Sequence, residues 1–163
     1  ASSGQHSEAS RALMDAGSSY YKAGGYTDAL RFFQAADSRG HMKAPRYLGL
    51  CYENGYGVAR DPEKAAFYYQ KAADRGDITG TCRLGYLYEQ GLGVARDYGR
   101  AMELYKKSAQ RGDIIAAPGM VAVGKMYAAG LGVPKDLTEA RIWFQKALAA
   151  CYDKASDELK KLE

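Results

Sequence analysis

The stretch Leu48 to Gly76, LGLCYENGYGVARDPEKAAFYYQKAADRG, is followed by two close copies of itself and preceded by a looser relative. Gly49, Gly85 and Gly124 correspond, as do Gly55, Gly91 and Gly130, then Asp61, Asp97 and Asp136, then Ala65, Ala101 and Ala140. The offsets between copies are 36 and 39 residues. A repeat of that length is one supersecondary unit that cannot bury its apolar face alone and must stack on its neighbours.

Within the best copy, helix A carries Tyr47, Leu48, Gly49 and Tyr52 and ends at Gly55, where a residue without Cβ can take the left-handed conformation. A loop Gly55-Tyr56-Gly57-Val58-Ala59-Arg60 follows. Asp61 then stands at an N-cap position and Pro62 at the first helical position, where a missing N–H costs nothing. Helix B packs back through Ala65, Tyr68, Tyr69 and Ala72 and ends at Gly76, with Ala65 placed opposite Gly49 so that the two backbones approach. The third copy adds a capping-box pattern in Asp136 and Glu139. Its three additional residues are expected within AAPGM, before Val123, and Cys151 replaces its closing glycine.

Upstream, residues 1–9 lack periodicity and read as a flexible tail. A helix pair follows from Ser10, the second helix starting near Thr27. Units of about 10–40, 41–76, 77–112 and 113–151 make a repeat array over 10–151, and the segment 152–163 reads as a C-terminal capping helix. The expected class is all-α, an α/α solenoid of antiparallel helix pairs.

Leu48-Gly49, Tyr52, Gly55, Gly57-Val58, Asp61, Ala65, Tyr69, Lys71-Ala72-Ala73 and Gly76, with their later counterparts, resemble Sel-1-like repeats. Leu13, Gly17, Tyr20, Gly24, Ala29, Phe33 and Ala36 resemble one tetratricopeptide repeat. The resemblance implies a right-handed superhelix acting as a non-catalytic adaptor for other proteins, in bacterial envelope, secretion or signalling assemblies. Cysteine-rich bacterial members with weak binding or hydrolysis of β-lactams carry a helix B cysteine in each repeat. This chain has Ala73, Ala109 and Leu148 there, so that activity is not carried over.

Composition excludes several other classes. The 23 Lys and Arg residues are spread along the chain and the net charge is only +4, which argues against a nucleic-acid surface. Nothing approaches a run of about eighteen apolar residues, so no membrane insertion is expected; the reading is a soluble chain of cytoplasm or periplasm. The Gly-x-Gly loops follow no strand and lack a third glycine, which removes the phosphate-loop reading. His6, His41, Cys51, Cys82 and Cys151 show no ligand spacing, so neither a metal nor a cofactor is expected, and no orienting group completes a Cys–His pair.

In tetratricopeptide-like solenoids the concave groove is lined by the A helices. Helical spacing then places Arg11, Tyr21 and Lys22, next Lys43, Arg46, Leu50, Glu53 and Asn54, and next Tyr86, Glu89 and Gln90 in a partner-binding groove. Val121 and Lys125 continue it. Arg11, Lys22, Lys43 and Arg46 would form a cationic clamp for an acidic or C-terminal peptide segment, with Tyr21, Leu50 and Tyr86 as anchors. Two other readings stay open, a β-lactam-directed enzyme and a solenoid that self-associates end to end through a weak cap at Cys151.

Overall fold

The computed structural model describes residues 7–163, which carry nine α-helices and no strand. They are α1 (Glu8–Lys22), α2 (Tyr26–Ser38), α3 (Ala44–Asn54), α4 (Pro62–Asp74), α5 (Ile78–Gln90), α6 (Tyr98–Ala109), α7 (Ala117–Ala129), α8 (Leu137–Ala149) and α9 (Lys154–Lys160). The chain divides into two compact units between Gly80 and Thr81, inside α5.

Helix α1 starts earlier than expected. Ser7 caps it, its side-chain oxygen accepting from the Ser10 amide at 3.1 Å, so the helix begins at Glu8 within the segment read as tail. The first six residues of that tail lie outside the described residues.

The loop between paired helices is built the same way three times. The amides of Tyr56, Leu92 and Leu131 donate back to the carbonyls of Cys51, Leu87 and Met126 at 2.8, 2.9 and 2.9 Å. This closure needs a left-handed residue just past the helix, and Gly55 and Gly130 supply it with φ of 73° and 70°. The amides of Asp61, Asp97 and Asp136 then return to the carbonyls of Tyr52, Tyr88 and Tyr127. Each aspartate caps helix B, accepting from the amides of Lys64, Arg100 and Glu139 at 3.1, 2.9 and 3.0 Å. Each aspartate thereby both closes the loop and starts the next helix.

The packing glycines make room for a ring. A Cβ on Gly49 would stand 2.5 Å from the Tyr69 ring, and one on Gly17, Gly85 or Gly124 would meet Phe33, Tyr105 or Phe144 at 2.7, 2.9 and 2.5 Å. This corrects the expectation that Gly49 exists to admit Ala65: the ring four residues further along helix B fills the space. Phe33, Tyr69 and Phe144 are 0–1% exposed and form the centres of the helix pairs.

The three additional residues of the last repeat also lie elsewhere than expected. Helix α7 begins at Ala117, as far before Gly124 as Ile78 of α5 lies before Gly85. The extra length therefore falls in the turn 113–116, held by the Ala116 amide donating to Asp113 Oδ1 at 3.2 Å, and it leaves Ile114 and Ile115 54% and 48% exposed. Cys151, where earlier units end in glycine, keeps the same backbone conformation with φ of 67°. Among the described residues it is the only non-glycine at positive φ.

Candidate protein-interaction surface

The A helices present a repeating set of positions after each packing glycine. One residue on stand Leu50, Tyr86 and Lys125; four on stand Glu53, Glu89 and Ala128; five on stand Asn54, Gln90 and Ala129. The sequence places these along a groove; the side chains divide them into outward-facing and internally held groups.

In the first unit Arg11, Lys22 and Lys43 are exposed. The Lys43 amide, at the N-terminus of α3, donates to Nδ1 of the buried His41 at 3.2 Å. Leu50 is half-buried and its carbonyl accepts from Nδ2 of the exposed Asn54 at 2.9 Å.

Arg46 and Tyr21 depart from the expected roles. Nε and Nη2 of Arg46 donate to Oδ2 and Oδ1 of Asp77 at 2.9 and 2.6 Å, a bidentate pair with Asp77 only 4% exposed. The hydrogen bond to Asp77 raises the Arg46 pKa further. Asp77 Oδ2 also accepts from the Gly80 amide at 2.8 Å, so Arg46 braces the turn between α4 and α5 and is withdrawn from the clamp. Tyr21 lies edge-on to Tyr26, Phe33, Tyr47 and Tyr56 with centroids 5.4–6.1 Å apart. Burial, with smaller contributions from the neighbouring thiol and phenols, pushes its pKa up to about 12. It is a packing residue and supplies no exposed anchor.

Glu53 and Glu89 are half-buried rather than free. Tyr69 Oη donates to Glu53 Oε1 at 2.5 Å and Tyr105 Oη to Glu89 Oε1 at 2.7 Å. Burial first, then the bond to Glu89, drives the Tyr105 phenol far above its ordinary pKa. Gln90 Nε2 donates to Glu89 Oε2 at 3.1 Å, while Tyr86 stays 41% exposed.

One charged cluster escaped sequence reasoning. Asp37 is 9% exposed and takes Lys71 Nζ at 2.7 Å and Arg75 Nη1 at 2.9 Å. Its counterparts in the later repeats are Ala73, Ala109 and Leu148, so an acidic residue at a small-apolar position was the available signal. The expectations concerning Val121 and Lys125 divide likewise: Val121 is buried and Lys125 exposed.

Among the described residues no group of three His, Cys, Asp or Glu side chains could hold a metal, and no helix is long and apolar enough to cross a membrane. Cys51 is buried, Cys82 half-buried and Cys151 exposed, all as free thiols. Burial pushes the Cys51 thiol up to about 11 and raises Cys82 as well, the opposite of an activated nucleophile.

The Sel1 repeat model matches residues 44–77, 79–113 and 117–150. The chain belongs to the Sel1 repeat family. The match skips residues 114–116, the part of the extra turn that carries Ile114 and Ile115. This Sel1 repeat protein is 47% identical over 49 residues to DAP3-binding cell death enhancer 1 of Rattus norvegicus and of Mus musculus, covering 30% of the chain and 10% of each relative. The chain therefore spans about a tenth of the curated relatives it matches.

Among solved structures it is similar to a protective antigen of uropathogenic Escherichia coli displaying an SLR fold, with TM-score 0.80 and 30% identity over 92% of this chain and 32% of that one. A Sel1 repeat protein from Oxalobacter formigenes matches with TM-score 0.80 and 27% identity, over 90% of this chain and 59% of that one. Cysteine rich protein B of Helicobacter pylori gives TM-score 0.51 and 27% identity, over 64% of this chain and 91% of that one. Sel1 repeat proteins generally serve as protein-interaction scaffolds, and the fold is typically non-catalytic.

Proposed function

We propose that this Sel1 repeat protein is a non-catalytic scaffold that holds a partner protein or peptide against the outward faces of its A helices. The observation supporting this reading is a division of labour inside the repeat. Residues that pack or cap recur from copy to copy, whereas the outward position after the packing glycine changes from Leu50 to Tyr86 to Lys125. A position free to change chemistry on a fixed frame is where partner specificity is built.

Tyr86 offers an amphipathic anchor and Lys22 and Lys43 supply attraction for acidic segments, setting orientation and on-rate more than affinity. Arg46, Tyr21, Glu53 and Glu89 hold the frame that carries them. The test is photo-crosslinking from a residue-sized crosslinker placed at Leu50, at Tyr86 or at Phe67, which is 62% exposed on helix α4. Adducts to the same protein from Leu50 and Tyr86, and none from Phe67, are expected. Adducts from Phe67 alone would put binding on the B helices and sink the proposal.

A further inference from the structure

Charge is settled differently between successive B helices in the two compact units. In the first, Asp37 of α2 takes Lys71 Nζ of α4 at 2.7 Å and Nη1 of Arg75, the residue that ends α4, at 2.9 Å. In the second, Ala109 of α6 stands in the place of Asp37, Lys146 of α8 in that of Lys71 and Ala150 in that of Arg75. One cation of the cluster is kept and its carboxylate is missing.

Where the carboxylate is missing there is space. A cavity of about 400 Å³ opens between α6 and α8, floored by the buried Met120 of α7 and bordered by Lys106, Ala109, Trp143 and Lys146. None of its lining residues is acidic. Lys146 Nζ lies 4.3 Å from the centroid of the half-buried Trp143 ring, and Lys106 Nζ donates to Tyr127 Oη at 3.2 Å. Both lysines are exposed, so each ammonium group is open to an incoming anion. Glu103 and Asp113, the acidic residues that flank this part of α6, are already taken by Arg100 at 3.2 Å and Arg111 at 2.7 Å.

Three further departures from the repeat pattern meet at this cleft. Lys106 stands where the earlier B helices carry Gln34 and Gln70, which adds a second cation. Trp143, the chain's only tryptophan, stands where they carry Phe32, Tyr68 and Leu104, which adds a broad flat wall. The extra turn 113–116 follows directly on Gly112, which borders the cleft, and leaves Ile114 and Ile115 exposed. Two cations without an acid beside apolar surface are complementary to a carboxylate that arrives with an apolar neighbour.

We infer that the cleft between α6 and α8 docks a segment of a partner protein in which an acidic residue stands beside an apolar one. The carboxylate meets Lys146 as Asp37 meets Lys71, with Lys106 as the second cation, and the apolar side chain rests on Trp143 and Met120. The volume suits one side chain with its flanking backbone. The carboxylate contact is charge-assisted and weakens as salt is added. This surface belongs to the B helices, so it adds to the A-helix reading above and stands or falls without it.

Trp143 is the reporter, since no other tryptophan contributes to the emission. The full chain is titrated with acetyl-Gly-Asp-Leu-Leu-Gly-amide, with its twin carrying Asn in place of Asp, and with sodium acetate. A saturable change in Trp143 emission is expected from the Asp peptide, with the Asn twin about tenfold weaker, the effect of one lost charge-assisted bond, and no response to acetate at the same concentration. Lys106→Gln and Lys146→Gln, both at exposed positions, should each weaken the Asp peptide about tenfold, read from the midpoint because Lys146 lies on the reporting ring. Ala109→Asp supplies the carboxylate that α2 carries as Asp37 and should abolish binding. Ala109 is buried, so the two lysine variants decide the question where that protein does not fold. Absence of a saturable change at millimolar peptide, equal binding of the twins, or indifference to both lysine substitutions overturns the proposal. An equal response to acetate overturns it in favour of a simple anion site, and the same change on concentrating the protein alone overturns it in favour of a second copy. If the peptide fails while crosslinks from Tyr86 persist, the cleft reading falls and the A-helix reading stands.

Discussion

Replacing Gly49 by alanine tests the packing logic at its tightest point. The new Cβ would stand 2.5 Å from both Cδ1 and Cε1 of Tyr69, whereas carbon atoms in contact prefer roughly 3.5–4.0 Å, so the ring must retreat about 1 Å. Tyr69 is 0% exposed, and its hydroxyl is tied to Glu53 at 2.5 Å, so retreat also breaks that bond. Overpacking costs roughly 1–3 kcal/mol and a lost hydrogen bond to a charged group roughly 1.5–3, while alanine returns about 1 in helix propensity. The net expectation is a loss of about 2–4 kcal/mol, read as a lower urea midpoint in far-ultraviolet circular dichroism. Gly124→Ala makes the same approach to Phe144, which has no hydroxyl to lose, and should cost about 2 kcal/mol less. Combining Gly49→Ala with Tyr69→Ala should cost less than the sum of the two by about 2 kcal/mol. A Gly49→Ala protein within about 0.5 kcal/mol of the parent, the scatter of harmless surface changes, would refute the reasoning.

Cys151→Gly should stabilise the protein by roughly 0.5–1 kcal/mol in the same urea assay, since the thiol-bearing residue sits at φ of 67° with an exposed side chain; a loss of stability would contradict it. Asp37→Asn should cost about 2 kcal/mol, because it leaves Lys71 and Arg75 facing a neutral group at a site only 9% exposed; charge-neutral behaviour in thermal melts would show the pair is inert. Cys51 and Tyr21 titrate at about 11 and about 12 in the fold against 9.0 and 10.0 ordinarily. Well below pH 9.0 both groups hold their protons in folded and unfolded chains, so their contribution is flat there and falls as pH rises through 9.0 towards about 12. Midpoints measured across that range should decline, and Cys51→Ala should remove the earlier part of the decline.

Much of the fold was legible because it is local. A glycine past a helix, an aspartate before the next and rings at fixed spacing are instructions that act within a few residues, so the order and ends of most helices followed from the chain. The start of α1 was missed because Ser7 signals only through its bond to the Ser10 amide. The extra residues of the last repeat were misplaced because Pro118 attracted the break, whereas a helix tolerates proline in its first turn and α7 simply begins before it.

The candidate site was less legible, for a different reason. Helical spacing can say that Arg46, Glu53 and Glu89 share a face, but whether a charged side chain on that face meets solvent depends on residues distant in sequence. Asp77, 31 positions on, claims Arg46, and Tyr69 and Tyr105, 16 positions on, claim the two glutamates. The sequence by itself determined an all-α helix-pair array, because capping, turn closure and amphipathic period are properties of short segments. Only the tertiary structure decided which charges are spent internally and that the Tyr69 ring, not Ala65, fills the space beside Gly49, because ion pairing and close packing exist only once separate helices pack.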